Sequence, residues 1–198
     1  MGFTARYRPQ IPGGSRIMAR TNIPVIPFDK GTLGGWVVDR ESGRPVLLSN
    51  KHVMPGAKKG LEIWQPDRRE DDLIGEVLRV SAVHDAAIGR PGEESFATRE
   101  LHGIGQYQGF GMPVVDMEVV MAGAESGAGE GKITSVTGQW KGQRGMHIEV
   151  SDWGVKGDSG SLIVCKDTRQ VVGLYAGTTA SHRCAVFISD VQETLNID

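Results

Sequence analysis

Cysteine, unbalanced charge and long apolar runs are all scarce in this chain of 198 residues, and each shortage excludes a class of protein. The only cysteines, Cys165 and Cys184, lack the spacing of a metal or redox site. This argues against a disulfide framework and favours a reducing compartment. The 22 basic and 24 acidic residues nearly cancel, for a net charge of -2. We therefore expect neither nucleic acid nor an anionic membrane as a partner.

No stretch approaches transmembrane length, and no apolar run that would mark a signal peptide follows Arg6, Arg8 and Pro9. The sequence accordingly predicts a cytoplasmic protein, although secretion stays open if a leader has been removed. It gives no indication of the oligomeric state.

Glycine, in contrast, is abundant: 28 residues, which is about twice its usual share of about 7%. These glycines follow no three-residue period, so collagen is excluded. Tight turns between many short strands account for them better. With 39% hydrophobic residues, the chain can bury a core in one compact unit or two small ones.

The pattern of apolar runs predicts an all-β protein. Residues 1–30 contain four prolines and are typical of an extended N-terminal arm laid over the body. From Thr32 onward, short apolar runs alternate with turn residues, as in a β-barrel. The predicted strands of the first half are 33–38, 45–49, 61–65, 73–82 and 86–89.

A glycine-dense connection at 102–112 divides the chain. We expect an N-terminal barrel over residues 31–102 and a C-terminal barrel over residues 112–198, together forming one functional unit. Ser189 or Asp190 could cap a short closing helix. The predicted strands of the second half are 114–122, 131–137, 145–150, 161–165, 170–176 and 184–189.

The segment Val155-Lys-Gly-Asp-Ser-Gly-Ser161 carries the strongest chemical signal. Glycine at 157 lets the backbone turn so that the amides of Gly157 and Ser159 point into one small space, as in an oxyanion hole. Ser159 would then be a nucleophile, with Gly160 leaving room beside it. The alternative is a simple glycine turn between two strands. The nucleophile elbow of α/β-hydrolases fits worse, because Ser161 stands where that motif needs glycine.

A serine nucleophile needs a base, and the base needs an orienting carboxylate. His52 follows an apolar strand, where the strand end can hold an imidazole at the rim of a barrel; a structural role is the alternative. Asp85 precedes a small apolar strand, so its carboxylate would be drawn inward. Asp71 and Asp72 are weaker candidates, in a cluster that looks solvated. The other histidines, in polar or glycine contexts, are His84, His102, His147 and His182.

Four motifs, in this order, resemble the chymotrypsin-like (trypsin-like) serine peptidases: Gly31-Thr-Leu-Gly-Gly35, Leu48-Ser-Asn-Lys-His-Val53, Asp85-Ala-Ala-Ile88 and Gly157-Asp-Ser-Gly-Ser161. The resemblance covers nearly the whole chain. It is greatest to the small bacterial intracellular branch, which is also similar to the peptidase domain of the plant narrow-leaf proteins. It implies two six-stranded antiparallel β-barrels with the active site in the cleft between them, followed here by the short helix.

By position, the resemblance implies that His52 is the general base, Asp85 its orienting carboxylate and Ser159 the nucleophile. The amides of Gly157 and Ser159 match the oxyanion hole. The substrate would be a protein or peptide. No metal or organic cofactor is expected, because no His/Cys/Asp cluster in the sequence has ligand spacing.

The chain departs from the secreted members of that family in three ways. It lacks their disulfides and their activation-site N-terminus, and Asn50-Lys51 replaces the usual small residues before the histidine. In the secreted members, the aspartate that matches Asp158 pairs with a new N-terminal amine after zymogen cleavage. We therefore expect Asp158 to be satisfied internally and the chain to be active as made.

These residues together predict a serine endopeptidase that works through an acyl-enzyme. Two alternatives stay open. One is a self-processing protease that cuts only its own arm or a neighbouring domain. The other is a protease-fold binding or scaffold protein that no longer cuts.

The resemblance also implies a specificity pocket between residues 152–156 and residues 175–178. Trp153, six residues before the serine, would fill the pocket base and favour cleavage after small or medium uncharged residues. A shift of one residue would instead bring in Asp152 and favour Arg or Lys. The candidate substrate-binding residues are Trp153, Lys156, Tyr175, Ala176, Gly177 and Thr178.

Overall fold

A computed structural model describes the protein at residues 2–23, 26–54, 60–150 and 153–198, with the side chains of residues 21–29 left out. Its first half is a curled, open sheet of seven antiparallel strands in the order β2-β1-β5-β6-β7-β4-β3. These strands are β1 (Arg16–Ile23), β2 (Ile26–Thr32), β3 (Gly35–Val38), β4 (Pro45–Ser49), β5 (Glu62–Trp64), β6 (Leu73–Val80) and β7 (Ala87–Pro91).

The second half is a closed barrel of six antiparallel strands in the order β10-β11-β12-β15-β14-β13. A two-stranded ribbon, β8 (Glu100–Leu101) with β9 (Gly105–Gln106), lies between the two halves in sequence. The barrel strands are β10 (Glu118–Gly123), β11 (Gly127–Trp140), β12 (Gln143–Val150), β13 (Leu162–Cys165), β14 (Val171–Thr178) and β15 (Arg183–Phe187).

The chain ends in helix α1 (Ile188–Leu195), whose apolar residues Ile188, Val191 and Leu195 are buried. The helix was expected, but its start differs from the prediction. Phe187 occupies the N-cap position without a side-chain hydrogen bond, so neither Ser189 nor Asp190 caps it. Asp190 instead lies in the first turn, where the helix dipole favours a negative charge. No helix within the described ranges is long and apolar enough to cross a membrane.

The fold class is confirmed: an all-β chain with two antiparallel β units and a short C-terminal helix. The strand count of the first unit differs, with seven strands in an open sheet. Its edge strands, β2 and β3, are joined by residues 33–34 but do not pair. Leu33 donates its amide to the Ser15 carbonyl and Gly34 donates to the Leu48 carbonyl, so the chain changes partners at this point.

The extended arm predicted for residues 1–30 is wrong in its second half. Strands β1 and β2 pair with each other from Arg16↔Thr32 onward, and β1 also pairs with β5. Ile17 and Ala19 are fully buried and belong to the core of the first sheet. The prolines at 24 and 27 masked this hairpin in the sequence, because proline lowers the expectation of a strand.

The two sheets pack against each other through the outer faces of their strands. Successive residues of a strand face opposite sides of a sheet. On β13, Ile163 therefore joins the cluster inside the closed barrel, while Leu162 and Val164 join a cluster shared with the first sheet. Leu48 and Ile88 are the first sheet's members of that shared cluster. The ends of β4 and β7 consequently lie against the closed barrel.

Candidate active site

The pairing of β4 with β7 brings His52 and Asp85 together. The strands are antiparallel with Ser49 opposite Ala87, so the end of β4 lies beside the start of β7. His52 comes three residues after Ser49, and Asp85 comes two residues before Ala87. Their side chains therefore meet at one edge of the first sheet.

His52 contacts both oxygens of the Asp85 carboxylate. The imidazole Nδ1 lies 2.7 Å from Oδ2, and the His52 backbone amide donates to Oδ1 at 3.0 Å. Because a carboxylate accepts the proton of Nδ1, the neutral imidazole keeps Nε2 as a free acceptor. The His52 side chain is 36% exposed and the Asp85 side chain only 11%. This geometry would suit a carboxylate that orients an imidazole reachable from outside.

Asn50 and Lys51, the unusual residues before the histidine, tie this site together. The Asn50 side-chain amide donates to the Asp85 carbonyl at 2.7 Å. The Lys51 ammonium donates to the Ser81 carbonyl at 3.0 Å. Both bonds join the histidine loop to the segment that carries the aspartate, so the departure from small residues adds support to the pair.

Two side chains of the closed barrel also reach Asp85. The Trp140 indole Nε1 lies 3.4 Å from Oδ2, and the Gln143 side-chain oxygen accepts the Asp85 amide at 3.2 Å. Burial raises the pKa of Asp85, but the hydrogen bonds and charge of His52, with the Trp140 bond, outweigh it and hold that pKa below its usual value. Asp85 is therefore ionised at neutral pH. No pattern in the sequence pointed to Trp140 or Gln143.

The Ser159 segment lies between β12 and β13 and is anchored to both sheets. Within the barrel, the Gly160 amide donates to the Tyr175 carbonyl at 2.9 Å. Across to the first sheet, the Thr32 amide donates to the Ser159 carbonyl at 2.9 Å. The Thr32 hydroxyl donates to the Gly157 carbonyl at 2.8 Å. Thr32 thus connects the end of β2 to the predicted nucleophile.

The two glycines around Ser159 have backbone conformations that other residues rarely adopt. Gly157 has φ +106° and Gly160 has φ +100°. A Cβ at Gly160 would also lie 2.2 Å from Ser49 Oγ. The amides of Gly157 and Ser159 donate no hydrogen bond to another described residue, so both stay available to a ligand.

Among the described contacts, no hydrogen bond joins Ser159 to His52. The Ser159 hydroxyl instead lies 3.5 Å from the Ala176 carbonyl, a weak bond. A Cβ placed on Gly31 would be 2.4 Å from Val53 and 2.9 Å from the Ser159 carbonyl, so the histidine loop and the serine loop both contact Gly31.

Asp158 is fully buried and accepts five hydrogen bonds. Oδ1 receives the amides of Glu125 and Ser126 at 2.9 and 3.1 Å. Oδ2 receives the Ser126 hydroxyl at 2.6 Å and the amides of Gly154 and Val155 at 3.2 and 3.0 Å. The carboxylate next to Ser159 is therefore satisfied by internal donors, as expected.

Comparison with solved structures finds serine proteases over almost the full length. Nocardiopsis protease superposes with a TM-score of 0.71, covering 96% of this chain and 98% of that one at 16% identity. Thermobifida fusca protease A gives 0.70 at 16% identity, with the same coverage. An alpha-lytic protease homologue, N4, gives 0.72 at 15% identity, again with 96% and 98% covered. The chain has the chymotrypsin-like fold.

Comparison of the whole sequence with known proteins does not detect this chymotrypsin-like fold; only the comparison of structures does. No protein-family model matches the sequence. No curated protein matches it either.

In this chymotrypsin-like fold, the predicted specificity residues occupy two environments. Trp153 is 1% exposed inside the closed barrel, where its indole N–H donates to the Glu130 carbonyl at 2.9 Å and its ring meets Tyr175 edge-on. The Tyr175 hydroxyl donates to the Gly154 carbonyl at 2.7 Å. Ala176 is buried. Lys156 and Thr178 are exposed, Gly177 is half-buried, and Asp152 falls outside the described residues.

The residues that were weaker candidates for the carboxylate and the base lie in other surroundings. Asp72, expected in a solvated cluster, is buried and pairs with Arg6 at 2.8 Å; only Asp71 is exposed. His102 stacks on Phe3. Over the described part of the chain, no group of three or more His, Cys, Asp or Glu side chains could hold a metal ion.

Proposed function

We propose that the protein is a serine endopeptidase with Ser159 as nucleophile, His52 as general base and Asp85 as orienting carboxylate. The observation that carries this proposal is the 2.7 Å contact of His52 with a buried Asp85, together with a serine loop in which the amides of Gly157 and Ser159 donate to no other described residue. The chymotrypsin-like fold also supports it, because the solved structures that share this fold are proteases.

In the proposed reaction, Ser159 Oγ forms a bond to the peptide carbonyl carbon while its proton moves to His52 Nε2. The negative oxygen is stabilised by the amides of Gly157 and Ser159. Collapse breaks the C–N bond, and His52 returns the proton to the leaving amine. Water then attacks the acyl-enzyme by the same steps, which releases the acid and restores Ser159. Asp85 stabilises the imidazolium throughout.

The five internal donors of Asp158 support activity without zymogen cleavage. In the secreted family members, a new N-terminal amine provides the partner for this carboxylate. Here the donors come from residues 125–126 and 154–155 of the folded chain. We therefore propose that the chain as made is competent.

Labelling with a fluorophosphonate tests the proposal directly, because it needs an activated serine and no knowledge of the substrate. Wild type should be labelled at Ser159 and hydrolyse peptides, and Ser159→Ala should lose both while its circular dichroism stays unchanged. Ser95→Ala, at an exposed serine on the first half, is the matched control and should behave as wild type. A folded wild type that neither reacts nor cleaves would favour the scaffold alternative. Autolysis seen by mass spectrometry, without cleavage of added peptides, would favour self-processing.

We propose cleavage after small or medium uncharged residues. The Tyr175 carbonyl accepts the Gly160 amide beside Ser159, and the buried Tyr175 ring meets Trp153 edge-on, which supports an apolar and shallow pocket. Peptide-library profiling tests this. Dominant cleavage after Arg or Lys, lost in Asp152→Ala, would contradict it.

We also propose that the enzyme is intracellular and related to the small bacterial branch of the chymotrypsin-like peptidases. The two cysteines, Cys165 and Cys184, are free and buried, which suits a reducing compartment. Cell fractionation with a tag on the native protein tests this. Recovery only outside the cytoplasm would contradict it.

A further inference from the structure

Trp140 stands at the end of β11 in the closed barrel, yet its side chain contacts the first sheet. The residue is only 8% exposed. Its indole N–H is directed at Asp85 Oδ2 from 3.4 Å, and the same oxygen accepts the His52 Nδ1 proton at 2.7 Å. Trp140 therefore touches the acceptor that orients the proposed base.

Gln143, on the other strand of the same hairpin, holds the Asp85 main chain. Its side-chain oxygen accepts the Asp85 amide at 3.2 Å. The Asn50 side chain covers the Asp85 carbonyl at 2.7 Å. The hairpin thus supplies one partner to the Asp85 carboxylate and one to its backbone, and the amide, carbonyl and carboxylate of Asp85 are all bonded.

The indole ring of Trp140 also packs against the predicted substrate-binding strand. A Cβ on Gly177 would lie 2.8 Å from Trp140 Cη2, so the ring fills the space that a side chain at 177 would need. The neighbouring residue, Ala176, provides the carbonyl that faces the Ser159 hydroxyl. One side chain therefore spans from the carboxylate to the strand beside the nucleophile.

We propose that Trp140 is a positioning residue, which holds the Asp85–His52 pair at a set distance from the Ser159 strand and shares the charge on Asp85 Oδ2. This proposal rests on the proposed peptidase function. Because the contact crosses between the two sheets, it links their packing to the geometry of the base.

The charged groups around Asp85 are few. His52 bonds the carboxylate directly, Lys51 turns its ammonium to a backbone carbonyl, and His84 lies next in sequence with a buried, unpartnered Nδ1. Lys141 sits over the Trp140 ring at 5.0 Å from its centre. Removing the indole N–H would leave more charge on Oδ2 for the imidazolium.

Trp140→Phe removes the N–H and keeps an aromatic ring. Trp36→Phe is the matched control, because the buried Trp36 donates its indole N–H to the Ile11 carbonyl at 2.7 Å in the first sheet. We expect Trp140→Phe to lower kcat about three- to tenfold, as for the loss of one ordinary hydrogen bond, because the 3.4 Å contact is long; KM should be nearly unchanged. The acid limb of its pH–rate profile should shift, because the indole N–H and His52 share Asp85 Oδ2. Trp36→Phe should change neither.

An NMR titration of the His52 imidazole separates this proposal from the proposed function. If wild type is inert to fluorophosphonate, the peptidase proposal fails, yet the titration of His52 in wild type and Trp140→Phe still tests positioning. Superimposable titrations and profiles, or an equal shift in Trp36→Phe, would overturn it. If Trp140→Phe does not fold, the NMR signals of the indole protons can be compared between wild type and Asp85→Asn. The chemical shift of the Trp140 indole proton should change, and that of the Trp36 indole proton should not. An unchanged chemical shift of the Trp140 indole proton would also overturn the proposal.

Discussion

The buried carboxylate of Asp158 allows a test of how the serine loop is held. Its five bonds come from the amides of Glu125, Ser126, Gly154 and Val155 and from the Ser126 hydroxyl. The carboxylate accepts at both oxygens and is 0% exposed. Asparagine has the same shape as aspartate, so Asp158→Asn changes hydrogen bonding and charge with little change in packing.

The expected loss follows from counting donors. If the new NH₂ group takes the place of Oδ1, it faces two donors, and at Oδ2 it faces three. At least two bonds are therefore lost. A hydrogen bond to a charged group contributes about 1.5–3 kcal/mol, so the free energy of unfolding should fall by roughly 3–6 kcal/mol. Ser126→Ala removes only the hydroxyl bond and should cost about 1.5–3 kcal/mol.

Urea unfolding followed by tryptophan fluorescence measures both losses, and the rate of fluorophosphonate labelling reports the serine loop. Asp167→Asn, at an exposed aspartate, is the control and should stay within about 0.5 kcal/mol of wild type. An Asp158→Asn protein within about 1 kcal/mol of wild type, or one more stable than Ser126→Ala, would refute the reasoning, since the five donors to Asp158 would then contribute little.

Three further outcomes are expected. Because the folded pKa of Asp85 lies below its unfolded value, the ionised carboxylate stabilises the fold above about pH 3.9, and this contribution is lost as the pH falls through the folded pKa. The unfolding free energies of wild type and Asp85→Asn should therefore converge between pH 7 and 2; a constant gap would contradict this. Gly160→Ala should unfold more easily than Gly43→Ala, since both have positive φ but only Gly160 has neighbours at 2.2 and 2.4 Å; equal urea midpoints would count against the contact. Thr32→Val loses the hydroxyl bond to the Gly157 carbonyl. It should slow the labelling of Ser159 by a larger factor than it lowers the equilibrium constant of folding. An unchanged labelling rate would show that Thr32 does not support the site.

Local pattern was enough to predict much of this protein. Strand β4 was predicted with its observed bounds, since Pro45 and the turn at Asn50 limit an uninterrupted apolar run. Most other strands were found within a few residues of their ends. His52 and Asp85 were singled out because each borders a strand, and neighbouring antiparallel strands place such residues at one edge. Their hydrogen bond follows from that pairing.

Only the tertiary structure decided which distant groups complete the site. Trp140 and Asp85 are 55 residues apart and lie in different sheets, and Thr32 and Gly157 are 125 apart. The hairpin at residues 16–32 likewise pairs with a segment far along the chain, since β1 lies beside β5. The alternation of apolar and polar residues, like the position of turn residues, indicates the structure of one segment and which of its faces is buried. Contacts between two sheets depend on how their outer faces pack, and no local pattern in one segment encodes the residue that it meets on the other.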